Sequence, residues 1–151
     1  MGSKSDDFEN DVLLLIFNNT DILKIGDAGG LLGSVSPGSL YVRLMTSAVV
    51  VDDSTLGTET TYTGYVAKGI AVARSAGGWT VSGNNASNTA AVTFGASTSG
   101  PVTLRYAEVW LDNVSAVIGD RLFWTQLDAD LIVNSGITPE VPIGDLDINE
   151  D

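Results

Sequence analysis

The feature that most restricts this chain is a period of two. After residue 20, apolar residues recur at alternate positions in short segments, and clusters of Gly, Asn and Ser separate the segments. Alternation sends successive side chains to opposite faces of a strand, so each segment can bury one face and leave the other in water. Leu40, Val42 and Leu44 alternate with Tyr41, Arg43 and Met45, which predicts a strand over 39–46. The same pattern predicts strands at 68–74, 78–82 and 89–94, with Ile70, Val72, Trp79, Val81, Ala90, Val92 and Phe94 in the core. Residues 102–111 carry apolar groups on both sides, the mark of a central strand. Segments 122–127 and 131–133, and a last one around Leu146 and Ile148, bring the total to about eight. The fold class expected is mainly β, an antiparallel β-sandwich or barrel. Gly77-Gly78, Gly83-Asn84-Asn85, Gly95 to Gly100 and Asn134-Ser135-Gly136 supply the turns, because Gly and Asn tolerate positive φ.

One short helix is expected at the N-terminus. Asp6 reads as an N-cap with Glu9 as its capping-box partner, ahead of the apolar run Val12 to Phe17. Phe8, Val12, Leu15 and Ile16 fall at helical spacing on one face, and Asn18-Asn19-Thr20 offers a stop. A helix this short is marginal alone, so its apolar stripe needs a sheet or a neighbouring subunit. The expected organisation is an N-terminal arm and helix, 1–20, followed by a single β domain, 21–151. Met1-Gly2-Ser3-Lys4 is too short and polar to read as a signal peptide, and its Gly-Ser pair also suits a cloning remnant.

Composition excludes much chemistry. The chain has no His and no Cys, which removes Ser-His-Asp triads, histidine bases, cysteine nucleophiles, disulfides and iron–sulfur sites, along with most zinc or haem sites. No cofactor is expected. Seven Lys and Arg stand against 19 Asp and Glu, a net charge of -12, so nucleic acid is not an expected partner. No apolar run approaches the roughly 20 residues that span a bilayer, and no membrane partner is expected.

Four groups of residues remain as candidates. Asp128 and Asp130 form a D-x-D pair that a strand places on one face, either as a hard-cation ligand pair or as a solvated acidic edge. Glu108 lies inside the strongest strand between Tyr106 and Trp110, either as a half-buried acid or in an ion pair with Arg105, Arg121 or a neighbouring chain. Trp79, Trp110, Trp124, Tyr62, Tyr65 and Tyr106 could build a platform for sugar rings. Trp110 and Trp124 fit the interior better, and Tyr62 and Tyr65 fit a loop edge. Arg43, Arg74, Arg105 and Arg121 all sit in or at the ends of strands, suited to subunit contacts or to ordinary outward positions. Loops 26–38 and 47–62 are long for hairpins and are contact candidates, the second because Val49-Val50-Val51 is either another strand or a covered surface.

The order of segments carries a resemblance. GSLYVRLMT (38–46), TYTGYVAKGIAVAR (61–74), SNTAAVTF (87–94), RLFWTQLD (121–128) and NSGITPEVPIGDLDINED (134–151) together resemble small virion proteins of tailed bacteriophages, a group that includes tail-fibre and capsid decoration, or cement, proteins. The chain departs from that pattern at Met45 to Val49 and at Arg105 to Asp112. The resemblance implies a non-enzymatic decoration protein, assembled in the host cytoplasm, that sits on the outer capsid surface and stabilises the head. It implies the major capsid protein as partner and self-association as a homotrimer. Residues 1–20 and the two long loops would make the contacts, with Phe8, Val12, Leu15, Val49, Val50, Val51, Tyr62, Tyr65, Arg43, Arg105 and Arg121 as candidate contact residues. The alternative is a tail or tail-fibre component that holds host glycan through Tyr62 and Tyr65. A third is a calcium-dependent extracellular β protein.

Overall fold

A computed structural model describes residues 4–23, 25, 30–47, 57–114 and 120–150. The elements in chain order are α1 (Asp6–Asn18), β1 (Ser39–Met45), β2 (Ile70–Ala73), β3 (Trp79–Ser82), β4 (Asn85–Asn88), β5 (Val92–Thr93), β6 (Val102–Trp110), β7 (Arg121–Val133), β8 (Glu140–Val141) and β9 (Ile148–Asn149). The protein is mainly β with one short N-terminal helix, as the alternation predicts. Its sheets are open and do not close into a barrel: β2-β1-β6-β7, β3-β4-β9 and β5-β8. The central position expected for 102–111 is found, with β6 between β1 and β7.

The chain divides into two compact units. One comprises residues 1–39, 72–91 and 141–151, and the other comprises 40–71 and 92–140.

In the first unit, α1 packs on β3 and β4. Its N-cap is Ser5 rather than Asp6: the Ser5 hydroxyl accepts from the Phe8 N–H at 3.4 Å. Asp6, Asp7 and Glu9 then fall inside the first turn, where carboxylates complement the positive end of the helix dipole. The helix stops where expected, with Asn19 in the left-handed region at φ 58°. The buried stripe is Glu9, Leu13 and Phe17, while Phe8 is exposed and Val12, Leu15 and Ile16 are half-buried. Six consecutive apolar residues leave several faces equally greasy, so periodicity alone could not select the one that docks. Phe17 lies 4.7 Å from the Trp79 ring, centroid to centroid. Arg74 caps the helix from outside, donating from Nε to the Ile16 carbonyl at 2.7 Å and from Nη2 to the Leu15 carbonyl at 2.8 Å.

The C-terminal segment closes this unit through Asn88, which is buried. Its Nδ2 donates to the carbonyls of Pro142 (2.7 Å) and Ala90 (2.9 Å), and its Oδ1 accepts from Leu146 N–H at 3.0 Å. Asn85 to Asn88, assigned partly to a turn by its Gly-Asn-Asn start, is instead strand β4 paired with β3 and β9. Its predecessor turn is tighter than the sequence suggests, and β5 shrinks to Val92–Thr93, which leaves Ala90 exposed rather than in the core.

In the second unit, β1 and β6 pair antiparallel from Tyr41↔Trp110 to Met45↔Tyr106. Strand β7 pairs with β6 from Trp110↔Arg121 to Val102↔Val133. Segments 122–127 and 131–133, read as two strands, are one continuous strand with an irregularity between them. Both faces of β1 and β6 are buried over most of their length, Val42, Leu44, Ala107 and Val109 among them. Gly69, at φ +87°, sits against β1: a Cβ there would stand 2.3 Å from the Val42 carbonyl oxygen, so both conformation and space require glycine.

Candidate functional site

Cross-strand pairing assembles a charged row inside the second unit. Arg43 on β1 is the partner of Glu108 on β6, and Glu108 is the partner of Trp124 on β7. Directly paired residues share a face, so this face carries Arg43, Glu108 and Trp124, flanked by Trp110 and Arg121. Glu108 is fully buried. Its Oε1 accepts from Arg121 Nη1 at 3.3 Å and its Oε2 from Trp110 Nε1 at 2.8 Å. Of the alternatives open to Glu108, the structure shows the ion pair with Arg121. Both of its oxygens accept bonds within the chain.

Arg43 is 2% exposed, with its guanidinium carbon 3.9 Å from the Trp110 ring centroid. Its Nη2 donates to the Asp112 carbonyl at 2.8 Å, and Nη1 lies 3.9 Å from Glu59 Oε2. Burial lowers its pKa from the ordinary arginine value, and Glu59 works in the opposite direction. Residues 58–60 run beside the end of β1, with Thr46 N–H to the Thr58 carbonyl at 2.8 Å and Thr60 N–H to the Leu44 carbonyl at 2.9 Å. This places Glu59 beside Arg43. Glu59 Oε1 also accepts from the Lys68 N–H (2.7 Å) and from the Tyr65 hydroxyl (3.0 Å). An open pocket of about 320 Å³ lies here, lined by Arg43, Met45, Thr58, Glu59, Lys68 and Trp110. Its two cations share the carboxylate of Glu59, with Lys68 Nζ 3.8 Å from the same oxygen as Arg43.

The tyrosines expected on a loop edge are placed differently. Tyr62 is buried, and its hydroxyl donates to the Gly95 carbonyl at 2.9 Å. Tyr65 is half-buried, stacked on Phe94 with centroids 5.9 Å apart, and its hydroxyl oxygen accepts from the Leu44 N–H at 3.2 Å. Burial raises both phenol pKa values. Their neighbours along the chain look like loop, but the large rings fill space beside β1. Among the tryptophans, Trp79 and Trp110 are buried and Trp124 is 38% exposed, a correction to its expected interior place. Strand β7 ends the sheet among the described residues, and the Trp124 ring stands at its surface. Tyr106 and Trp124 lean together at 6.3 Å.

Arg105 is the outward arginine, with Nε 3.1 Å from Asp130 Oδ2 and Nη1 donating to the Thr46 carbonyl. Asp128 and Asp130 are both exposed, and no group of acidic residues suited to a metal ion occurs among the described residues. The described part of the first long loop is anchored yet greasy. The Asn19 amide clasps Ser34 through two 2.7 Å bonds, while Leu32 and Val35 are exposed. Val49, Val50 and Val51 lie outside the described residues. No helix is long and apolar enough to cross a membrane among the described residues.

Fold and surfaces together define a mainly β protein whose buried Arg43, Glu108 and Arg121 contact groups of the same chain, and which also exposes apolar side chains such as Leu32 and Val35. The chain belongs to the podophage GP4 fiber I protein gp80 family, whose model matches residues 5–149. That is a family of phage virion structural proteins, and the resemblance read in the segments from 38 to 151 is borne out at that level. No curated protein matches the chain.

Proposed function

We propose that this chain is a non-enzymatic structural component of the phage particle that works by fitting against other polypeptides. The observation that carries the reading is the placement of its charged interior groups. Arg43, Glu59, Glu108 and Arg121 contact one another or neighbouring groups of the same chain, whereas exposed side chains such as Leu32, Val35 and Trp124 are apolar. An acid recruited for proton transfer needs a path to substrate, which Glu108 lacks. Exposed apolar residues on an ordered scaffold suit contact with another protein.

Within the particle we favour a place in the fibre, on the family's description. A second reading, a decoration protein bound as a homotrimer to the major capsid protein, is supported by the resemblance of GSLYVRLMT and the other segments to cement proteins. Copy number separates the two. Quantitative mass spectrometry of purified particles against the coat protein, with immunogold labelling, is expected to find few copies, at the tail. Hundreds of copies over the head would favour decoration, and absence from the particle would overturn both.

A further inference from the structure

We propose that the surface aromatic pair Tyr106 and Trp124, with the Gln126 amide beside it, is a binding site for a neutral saccharide. Such a site goes beyond the structural role proposed above and does not depend on it. Register builds it. Tyr106 on β6 pairs with Gln126 on β7, Glu108 pairs with Trp124, and the ladder runs without irregularity from there to Val109↔Phe123. Trp124 and Gln126 stand two residues apart on one strand, so both share a face with Tyr106. The Tyr106 and Trp124 rings lie 6.3 Å apart, centroid to centroid, and are tilted by 57°. Trp124 is 38% exposed, Gln126 is exposed and Tyr106 is half-buried.

The polar ends of these side chains separate them from Tyr62, Tyr65 and Trp110. Tyr62 donates to the Gly95 carbonyl, the Tyr65 hydroxyl is engaged by Glu59 and by the Leu44 N–H, and the Trp110 indole donates to Glu108. The Tyr106 hydroxyl, the Trp124 indole N–H and the Gln126 amide make no such bond among the described residues. A surface ring whose polar group is open offers both a face for stacking and a handle for hydrogen bonding. The platform is also held firmly from below. Glu108, the partner of Trp124, is fixed by Arg121 and Trp110, and Met45, the partner of Tyr106 on β1, is buried.

Size and charge select the ligand. Two rings and an amide cover far less than the ~800 Å² per partner of a standard protein interface, so the patch suits a small ligand. Stacking platforms also take nucleobases, but a chain of net charge -12 repels a phosphate backbone. Tyr106, Trp124 and Gln126 offer no counter-charge to an ionic ligand, and the nearby Arg105 is already paired with Asp130. What fits is a molecule with an apolar face and neutral hydroxyls around its rim. A pyranose ring has that form: its C–H face stacks on the indole, and its hydroxyls pair with the phenol, the indole N–H and the amide.

The probe is an array of neutral and acidic glycans, read with the biotinylated chain gathered on streptavidin so that weak single-site binding is multiplied. Neutral glycans built from hexoses or N-acetylhexosamines are expected to bind. The strongest is then titrated into isotope-labelled protein, whose three tryptophans give three indole N–H signals. The Trp124 signal, identified by its loss in Trp124→Phe, is expected to move while those of Trp79 and Trp110 stay. Trp124→Ala is expected to weaken binding at least about tenfold, by loss of the stacking ring, and Gln126→Ala about threefold. Circular dichroism checks that each variant folds, and Gln126→Ala, at an exposed site, keeps both rings. Leu32→Ala, an exposed residue of the other unit, is expected to leave binding unchanged. The site is overturned if no neutral glycan binds, if binding leaves the Trp124 signal still, or if folded Trp124→Ala and Gln126→Ala bind like the parent. A photo-cross-linker at position 126 that captures another virion protein in intact particles also overturns it, by giving this face a protein partner. Absence of the chain from particles counts against the structural role alone.

Discussion

The indole of Trp110 and the carboxylate of Glu108 lie two residues apart on β6 and on the same face, with Nε1 donating to Oε2 at 2.8 Å inside the protein. That bond, the Arg121 contact on the other oxygen and Arg43 over the Trp110 ring make one connected group, so each member keeps another satisfied.

Glu108→Gln is expected to lower unfolding free energy by about 1.5–3 kcal/mol, because it removes the charge from the buried bond to Arg121. The double variant Glu108→Leu/Arg121→Met should lose less than either single change, since removing both charges leaves neither uncompensated. Urea denaturation of the four proteins checks both statements, and additive losses would contradict the coupling.

Alkaline pH should destabilise the fold through Tyr62 and Tyr65. Burial holds both phenols above the ordinary value of 10.0 in the folded chain. A raised folded-state pKa gives stability that is complete below the unfolded value and is lost as pH rises above it, so the fall begins near pH 10. Tyrosinate absorbance should reach full amplitude only with unfolding, and Tyr65→Phe should reduce that delayed step.

Arg74→Met should cost about 1.5–3 kcal/mol, the usual worth of charged hydrogen bonds. The last turn of α1 contains no basic residue of its own, so Arg74 supplies the only cation described at the Leu15 and Ile16 carbonyls. Lysine at 74 should restore only part of the loss, because an ammonium cannot fork to two carbonyls in the same geometry. Thermal melts of the two variants measure this.

Asn88→Ala removes the acceptor of the Leu146 N–H and the donor to the Pro142 carbonyl. A loss of about 1–3 kcal/mol is expected. Hydrogen exchange should show faster opening over 142–149 than elsewhere, and uniform acceleration would mean that Asn88 does not act locally.

Much of this architecture is legible in the residues. Strands β1, β3 and β6 fall where Leu40, Trp79 and Leu104 alternate with their neighbours, and Asn19 ends the helix as its tolerance of positive φ predicts. The helix face was not legible, because Leu13 and Phe17 compete with Val12, Leu15 and Ile16 in a continuous apolar run. Strand β4 was hidden by Asn85, whose turn preference yields to its pairing with Ser82 and Asn149. Tyr62 and Trp124 exchanged their expected environments, because burial depends on which elements lie alongside.

By itself the sequence determined that the chain is mainly β, that it lacks the side chains of histidine and cysteine chemistry, and that it resembles virion proteins. These follow from local backbone preference and from residue identity, which need no knowledge of distant contacts. Only the tertiary structure decided that Arg43 meets Glu59, that Glu108 meets Arg121, and that Trp110 lies between the two pairs. Those facts arise from register between residues 11 to 69 positions apart in the chain, and register is set by the packing of the whole sheet rather than by any one segment.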